Sequence, residues 1–424
     1  MATAAVVGIN WGDEGKGRMV DLLTGEYDVV VRYQGGGNAG HTIVNGFGTF
    51  ALHLVPSGIF RPSVMNVLGN GVALDPENLL SEIGMLREKG VTVGPENLIL
   101  SERASLLLPW HRELDALEEA RLKDRKYGST KQGIAPFYSD KYQKKTLMLG
   151  EIAHEDRFFT HLKELAEWKN LTLAGVYGAK TYDDDMLRAW METAVLPLKP
   201  FIADVGSYLR KAEKAGKRIL FEAQLGALRD LDFGIYPYTT SSNTLAAYAP
   251  IGSGLTTART ERVIGVVKAY STCVGEGPFV SELFGKEADD LREAGHEYGA
   301  KTGRPRRVGA LDLVATRYGV MLQGATELAV TKLDVLSGLP EIPVAVSYMV
   351  GDEMTDRFPM TEDLYIAKPV IERMPGWQAD VSGIRKFSDL PKEARDYVEL
   401  LEDAVSCRVS YVSVGPERDS YIVK

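Results

Sequence analysis

The stretch Asn10-Trp11-Gly12-Asp13-Glu14-Gly15-Lys16-Gly17-Arg18 sets a lysine among glycines and two acids. That mixture suits phosphate. Glycines let the backbone approach a ligand closely, a new helix aims its unpaired N–H groups at an anion, and the lysine adds a full positive charge. Ala4-Ala5-Val6-Val7-Gly8-Ile9 before it is apolar and β-branched, as in a buried strand. Met19-Val20-Asp21-Leu22-Leu23 after it has helical spacing. The stretch is therefore a strand-to-helix turn. It is not a Walker A loop, because Asn10 and Gly17 stand where that pattern requires a glycine and a Ser or Thr. The hydroxyl that would hold Mg²⁺ is missing, and Asp13 is the replacement oxygen ligand.

Other loops carry chemistry too. Gln34-Gly35-Gly36-Gly37-Asn38-Ala39-Gly40-His41-Thr42 is a second glycine loop, offering Asn38 and His41 to a ligand. Residues 127–138 join Ser129, Thr130 and Lys131 to glycines and suit a phosphate, while Lys141, Lys144 and Lys145 read as solvated surface. Glu222-Ala223-Gln224-Leu225-Gly226 follows a strand, and residues 236–243 are dense in hydroxyls. Residues 295–307 form a compact cationic loop suited to bidentate capture of carboxylate or phosphate. In Thr331-Lys332-Leu333-Asp334, the aspartate can accept from guanine N1–H and N2–H₂ while the lysine stem covers the base. Joined to a phosphate turn at the first strand, this is a guanine reader. His53, within a hairpin spanning 43–54, reads as structural.

The elements that must position these loops alternate. Strands are expected at 28–33, 64–72, 98–100, 218–221, 263–270, 329–336 and 409–413. Helices are expected from Asp75-Pro76, over 109–126, and over 390–404 with Pro391 in the first turn. Such alternation implies a largely parallel sheet with helices on both faces and ligand loops at the strands' carboxyl ends. The chain is read as one domain, 1–424, with mostly helical insertions around 77–126 and 151–217. Net charge is -9, which argues against a nucleic-acid binder relying on an overall positive field. The cysteines, Cys273 and Cys407, are too few for a disulfide framework or zinc site. No signal peptide or membrane-spanning run is read, so a cytoplasmic setting is expected.

Two functions fit: an enzyme that uses GTP and Mg²⁺ to activate an anionic small molecule, or a GTP-binding switch protein. A switch needs one nucleotide site and a Walker A hydroxyl. The additional loops favour the enzyme.

The motifs Trp11-Gly-Asp-Glu-Gly-Lys-Gly17, Asn38-Ala-Gly-His41, Pro56-Ser-Gly58, Gly69-Asn-Gly71, Tyr236-Pro-Tyr238, Thr240-Ser-Ser-Asn243, Thr302-Gly-Arg304, Thr331-Lys-Leu-Asp334 and Met374-Pro-Gly-Trp377 span nearly the whole chain in order. In them the sequence resembles the adenylosuccinate synthetase family. The resemblance implies a GTP- and Mg²⁺-dependent ligase of purine biosynthesis that forms adenylosuccinate from IMP and L-aspartate through 6-phosphoryl-IMP. It also implies an α/β, P-loop-NTPase-like fold: a large, mostly parallel sheet with helices on both faces and small subdomain insertions.

By that resemblance, Asp13 takes the N1 proton of IMP, His41 acts as acid and steadies the transferring phosphoryl group, and Lys16 and Gln224 complete the catalytic set. Asp13 and the Gly40 carbonyl bind Mg²⁺. GTP falls to Gly12, Glu14, Gly15, Lys16, Gly17, Arg18, Gly40, His41 and Thr42, with Arg306 near the phosphates. Its guanine side falls to Lys332, Leu333, Asp334, Ser413, Val414 and Gly415. IMP falls to Asp13, Asn38, Ala39, Thr130, Lys144, Gln224, Thr240 and Arg304, and aspartate to Ala300, Lys301, Thr302, Gly303 and Arg304. A homodimer is implied, each subunit lending a basic residue to the other's IMP site.

Three positions depart from the family pattern. The lent arginine is Lys144, which keeps the charge but loses the bidentate fork. Gly-Ala-Gln-Gly is replaced by Ala223-Gln224-Leu225-Gly226, and Ala-Thr-Thr-Gly by Ala300-Lys301-Thr302-Gly303. A relative acting on another purine monophosphate or amino acid is the alternative reading.

Overall fold

The computed structural model describes residues 3–299, 303 and 305–424. A ten-stranded sheet forms its centre. From edge to edge the strands are Tyr421–Val423, Val409–Ser413, Glu327–Thr331, Arg262–Lys268, Thr3–Gly8, Ile219–Glu222, Val29–Arg32, Met65–Leu68, Leu98–Ser101 and Ile202–Ala203. All neighbours run parallel except the pair at the Tyr421–Val423 edge.

Thr3–Gly8 is buried along its whole length, which explains its unbroken apolar run. Alternate side chains leave opposite faces. Ala5 and Val7 pack with Val205 and Leu209 of helix Val205–Lys214. Ala4 and Val6 pack with Met19 and Val20 of helix Lys16–Leu23. Helices therefore cover both faces, and each fully buried aliphatic side chain stabilises the fold by roughly 1.5–3 kcal/mol.

The insertion helices Pro76–Glu88, Trp110–Leu122 and Glu155–Tyr177 share a core around Leu79, Trp110, Phe158 and Leu162. Asp75 caps the first of them, accepting from the Asn78 amide, with Pro76 at its start. His111 and Lys169 both pair with buried Asp140 on helix Ile134–Tyr142, at 2.9 and 2.8 Å.

Several expected elements differ. The 127–138 loop becomes helix at Ile134, because left-handed Gly133 turns the chain into it. The strand expected over 329–336 ends at Thr331; Lys332 is left-handed (φ 62°) and Leu333–Leu336 is a 3₁₀ turn. Pro391 sits just before helix Lys392–Val405 rather than within its first turn. Alternation also fails beyond residue 340, where Glu341–Val350 pairs antiparallel with Glu353–Thr355 and Ala367–Pro375. Prolines and exposed charges (Pro369, Glu372, Arg373) hide that pairing in the sequence.

Candidate functional site

The loops gather where the parallel strands end. Gly12 (φ 102°), Asp13 (φ 61°) and Gly15 (φ 98°) are left-handed and curl the chain from the first strand into helix Lys16–Leu23. Space is as tight as conformation. A Cβ on Gly8 would lie 2.3 Å from the Leu225 carbonyl oxygen and 2.6 Å from Glu14 Oε2. Glu14 is the turn's internal anchor: its carboxylate accepts from the Asn10 and Gly12 amides at 3.2 and 2.8 Å and meets Lys16 Nζ at 2.6 Å. Thr331 Oγ1 donates to the Glu14 carbonyl at 2.6 Å, tying the turn to the end of the strand that leads into Lys332 and Asp334.

Gly17, where a Walker A loop has its hydroxyl, has a steric reason. A Cβ there would come within 2.5 Å of the His41 Cβ. His41 therefore packs against the phosphate helix, at the start of the hairpin His41–Asn45 and Gly48–Leu52. Its Nδ1 lies 2.6 Å from Glu222 Oε1, and Glu222 also accepts from the Ser57 amide and hydroxyl at 2.8 and 2.6 Å. Burial pushes the imidazole below its ordinary range; Glu222 opposes that shift, while Arg32 and Lys16 reinforce it. Burial would raise the Glu222 carboxyl, but His41, Arg32 and Ser57 outweigh it and hold it low. With Nδ1–H turned to Glu222, the buried Nε2 has no partner among the described residues and is the atom available for chemistry. Neither Glu222 nor Ser57 was named as a site residue from sequence. A carboxylate closing an apolar strand was the available signal for the first.

Asp13 keeps a side-chain exposure of 29%, with Arg306 Nε 3.1 Å from its Oδ2. Arg306 also donates to Glu297 at 2.8 Å. Asn38 and Ala39 are half-buried, while Gly40 and Thr42 are exposed beside them. Gln224 lies beneath the second glycine loop. Its side chain is fully buried, its amide donates to the carbonyls of Gly36, Ala39 and His53 at 2.6, 3.2 and 3.1 Å, and its Oε1 accepts from the Gly36 amide at 3.0 Å. It shapes the second glycine loop. Leu225 (φ 59°), half-buried, flanks Gly12.

Beyond the end of strand Glu327–Thr331, Lys332 donates to the Gly295 carbonyl and to Glu297, both at 2.6 Å. Asp334 is left without an ion pair among the described residues. Burial raises its carboxyl above the usual range, with Arg18 and Lys332 opposing. Arg18 donates to Ser413 Oγ at 3.3 Å and to the Gly415 carbonyl at 2.6 Å, so it holds the 413–415 loop against the phosphate helix. Leu333 and Val414 are buried supports of that arrangement.

Thr130 is exposed, and Thr240 Oγ1 is buried without a partner among the described residues. Lys144 is exposed and left-handed (φ 61°), following helix Ile134–Tyr142. Gly303 is exposed. Ala300, Lys301, Thr302 and Arg304 lie outside the described residues. Among the described residues no cluster of His, Cys, Asp and Glu is large enough to cage a metal. An ion at Asp13 would take its other ligands from backbone, water and substrate phosphates, a habit of Mg²⁺.

Residues 5–422 match the family model described as adenylosuccinate synthetase. The chain is 46% identical to an adenylosuccinate synthetase of Halothermothrix orenii, covering 100% of this chain and 98% of that one. It is 45% identical to adenylosuccinate synthetase 2 of Pseudoalteromonas translucida, covering both chains fully. The solved structure of the fully ligated adenylosuccinate synthetase from Plasmodium falciparum superposes with a TM-score of 0.93 at 35% identity, covering both chains fully. The succinoaminodeoxyadenylate synthetase of cyanophage S-2L shares the fold at TM-score 0.65 and 19% identity, covering 99% of this chain and 95% of that one.

Proposed function

The chain belongs to the adenylosuccinate synthetase family, and from that premise we propose that this cleft couples GTP to the joining of IMP and L-aspartate as follows. Asp13 removes the N1 proton of IMP. The O6 atom gains electron density and attacks the γ-phosphorus of GTP, the bond to the β-phosphate oxygen breaks, and GDP leaves. The amine of aspartate then adds at C6 of 6-phosphoryl-IMP, phosphate departs, and adenylosuccinate remains. Phosphoryl transfer asks mainly for position and neutralised charge. Lys16 and the turn's N–H groups supply the second, and His41 Nε2 stands ready at the transferring group with its other nitrogen fixed by Glu222.

Asp13 and the Gly40 carbonyl are hard oxygen donors at the cleft, as Mg²⁺ requires. Bound there, the ion would neutralise charge on the phosphate oxygens. Asn38, Thr130, Thr240 and Arg304 serve IMP, with Gln224 shaping the loop that carries Asn38. Residues 300–304 grip aspartate, with Lys301 adding a cation. A homodimer completes the IMP site through exposed Lys144 of the other subunit. No helix among the described residues is long and apolar enough to cross a membrane, and we place the enzyme in the cytoplasm.

The observation that carries this reading is the His41–Glu222 pair packed against Gly17 of the phosphate turn. Turnover with GTP and Mg²⁺ against a panel of purine monophosphates and amino acids tests it. IMP with aspartate should be the best pair; a better rate with another purine or amino acid would overturn the substrate assignment.

A further inference from the structure

Glu297 is absent from every role above, yet it is the most heavily bonded carboxylate near the site. It has no solvent exposure. Its Oε1 accepts from Lys268 Nζ at 2.9 Å, from the Tyr270 hydroxyl at 2.6 Å and from Lys332 Nζ at 2.6 Å. Its Oε2 accepts from Arg306 Nη1 at 2.8 Å. We propose that Glu297 is a positioning residue that couples the guanine end of the nucleotide site to its phosphate end.

The connection can be followed atom by atom. Asp13 meets Arg306 at 3.1 Å, Arg306 meets Glu297, Glu297 meets Lys332, and Lys332 lies in the same turn as Asp334. A single carboxylate thus fixes the lysine at the base relative to the arginine at the phosphates. Burying an unpaired carboxylate is costly, and breaking a buried network leaves its partners uncompensated. Lys268, itself buried, stands among those partners with its amine pushed down by burial to about 8. Without Glu297, Lys268, Lys332 and Arg306 would face one another with no shared counter-charge. Lys332 would leave the base face, and Arg306 would be held by Asp13 alone.

This inference rests on the GTP reading above, so its test uses both binding and turnover on the full-length enzyme. Glu297→Gln keeps the shape and removes the charge; Glu297→Asp keeps the charge and shortens the reach. Losing hydrogen bonds to charged groups should raise the Kd for GTP, read by equilibrium titration, about tenfold or more in Glu297→Gln and less in Glu297→Asp. The KM for IMP should move less than the Kd for GTP, since the route from Glu297 to the IMP residue Asp13 runs indirectly through Arg306. A purely structural role would instead lower the unfolding temperature and move both constants together, or neither; either pattern overturns the proposal. Should Glu297→Gln not fold, the cycle of Lys332→Met with Arg306→Lys decides. Coupling through Glu297 makes their effects on GTP binding non-additive, and strict additivity contradicts it. Wild type that binds GTP but turns over no IMP with aspartate would defeat the reaction while leaving the Glu297 measurement standing.

Discussion

At the phosphate end of the site Lys16, His41 and Arg306 each meet a carboxylate, whereas at the base end the Asp334 carboxylate meets no cation among the described residues. Lys332, the obvious partner for Asp334, is turned to Glu297. The groups proposed to act on phosphate are thus oriented in advance by their neighbours, which suits chemistry that depends on position. Asp334 is kept half-buried and under-compensated, so donors on a ligand are worth more to it than water. On the proposed function, the phosphate end provides rate and the base end provides choice. Substitutions at the first should change turnover, and substitutions at the second should change which nucleotide is used.

The largest loss is expected from Asp13→Asn, which retains shape but removes the base. Turnover should fall about 10²–10⁴-fold. Near-normal kcat would remove Asp13 from the proton-transfer step. Gly17→Ala should follow. Its Cβ would collide with His41, 2.5 Å away at the Cβ, and displace the ring from Glu222. A shift on that scale can cost about 10²-fold in kcat, and an unchanged kcat would show that the packing of His41 is dispensable.

A smaller effect is expected from subunit mixing. Lys144→Leu and Asp13→Asn enzymes, combined under verified subunit exchange, should recover part of the activity that each lacks, since every mixed dimer retains one intact site. No recovery would contradict the lending of Lys144. The smallest effect is on stability. His41 binds its proton less tightly folded than unfolded, because burial lowers it. Its unfolded pKa is about 6.5. Below that value the unfolded chain takes up more protons, so stability should drop as pH falls and be complete above it. His111, also lowered by burial, adds to the slope. Urea unfolding at acidic and neutral pH should show a shallower slope in His41→Asn, with the His111 part remaining. An identical slope would mean His41 is not depressed.

The contrast between the two ends also explains what could be read from sequence. The phosphate turn was legible because its strand, glycines, lysine and helix are contiguous, and local chemistry dictates them. Lys332 and Asp334 were legible for the same reason. The His41–Glu222 bond was not, since its partners are 181 residues apart and meet only when Ile219–Glu222 pairs with Val29–Arg32. Glu297 was hidden for the same reason: its donors are Lys268 at a strand end, Tyr270 in the bend beyond it, Lys332 in a later turn and Arg306 just before another strand. Gln224 is visible in the sequence as a displaced glutamine, but its amide clasps Gly36 and Ala39 only in the folded chain. The parallel sheet followed from buried apolar runs. The antiparallel pairing after residue 340 did not, because Ala367–Pro375, which completes it, carries prolines and exposed charges in place of an apolar pattern.

Selection of guanine is assigned to Asp334, which has no ion pair among the described residues. An ionised carboxylate only accepts. Guanine presents N1–H and N2–H₂ to it, whereas adenine presents a lone pair at N1. A site built on such donors can reject the wrong base by about 10⁴-fold. Asp334→Asn should weaken GTP and favour XTP, whose C2 carbonyl accepts from the new amide while N1–H donates to the amide oxygen. The measurement is kcat/KM for GTP, XTP and ATP in wild type and Asp334→Asn. The expected result is strong GTP preference in wild type and a shift towards XTP in the variant. Equal use of ATP by wild type, or no movement from GTP to XTP in the variant, would contradict it.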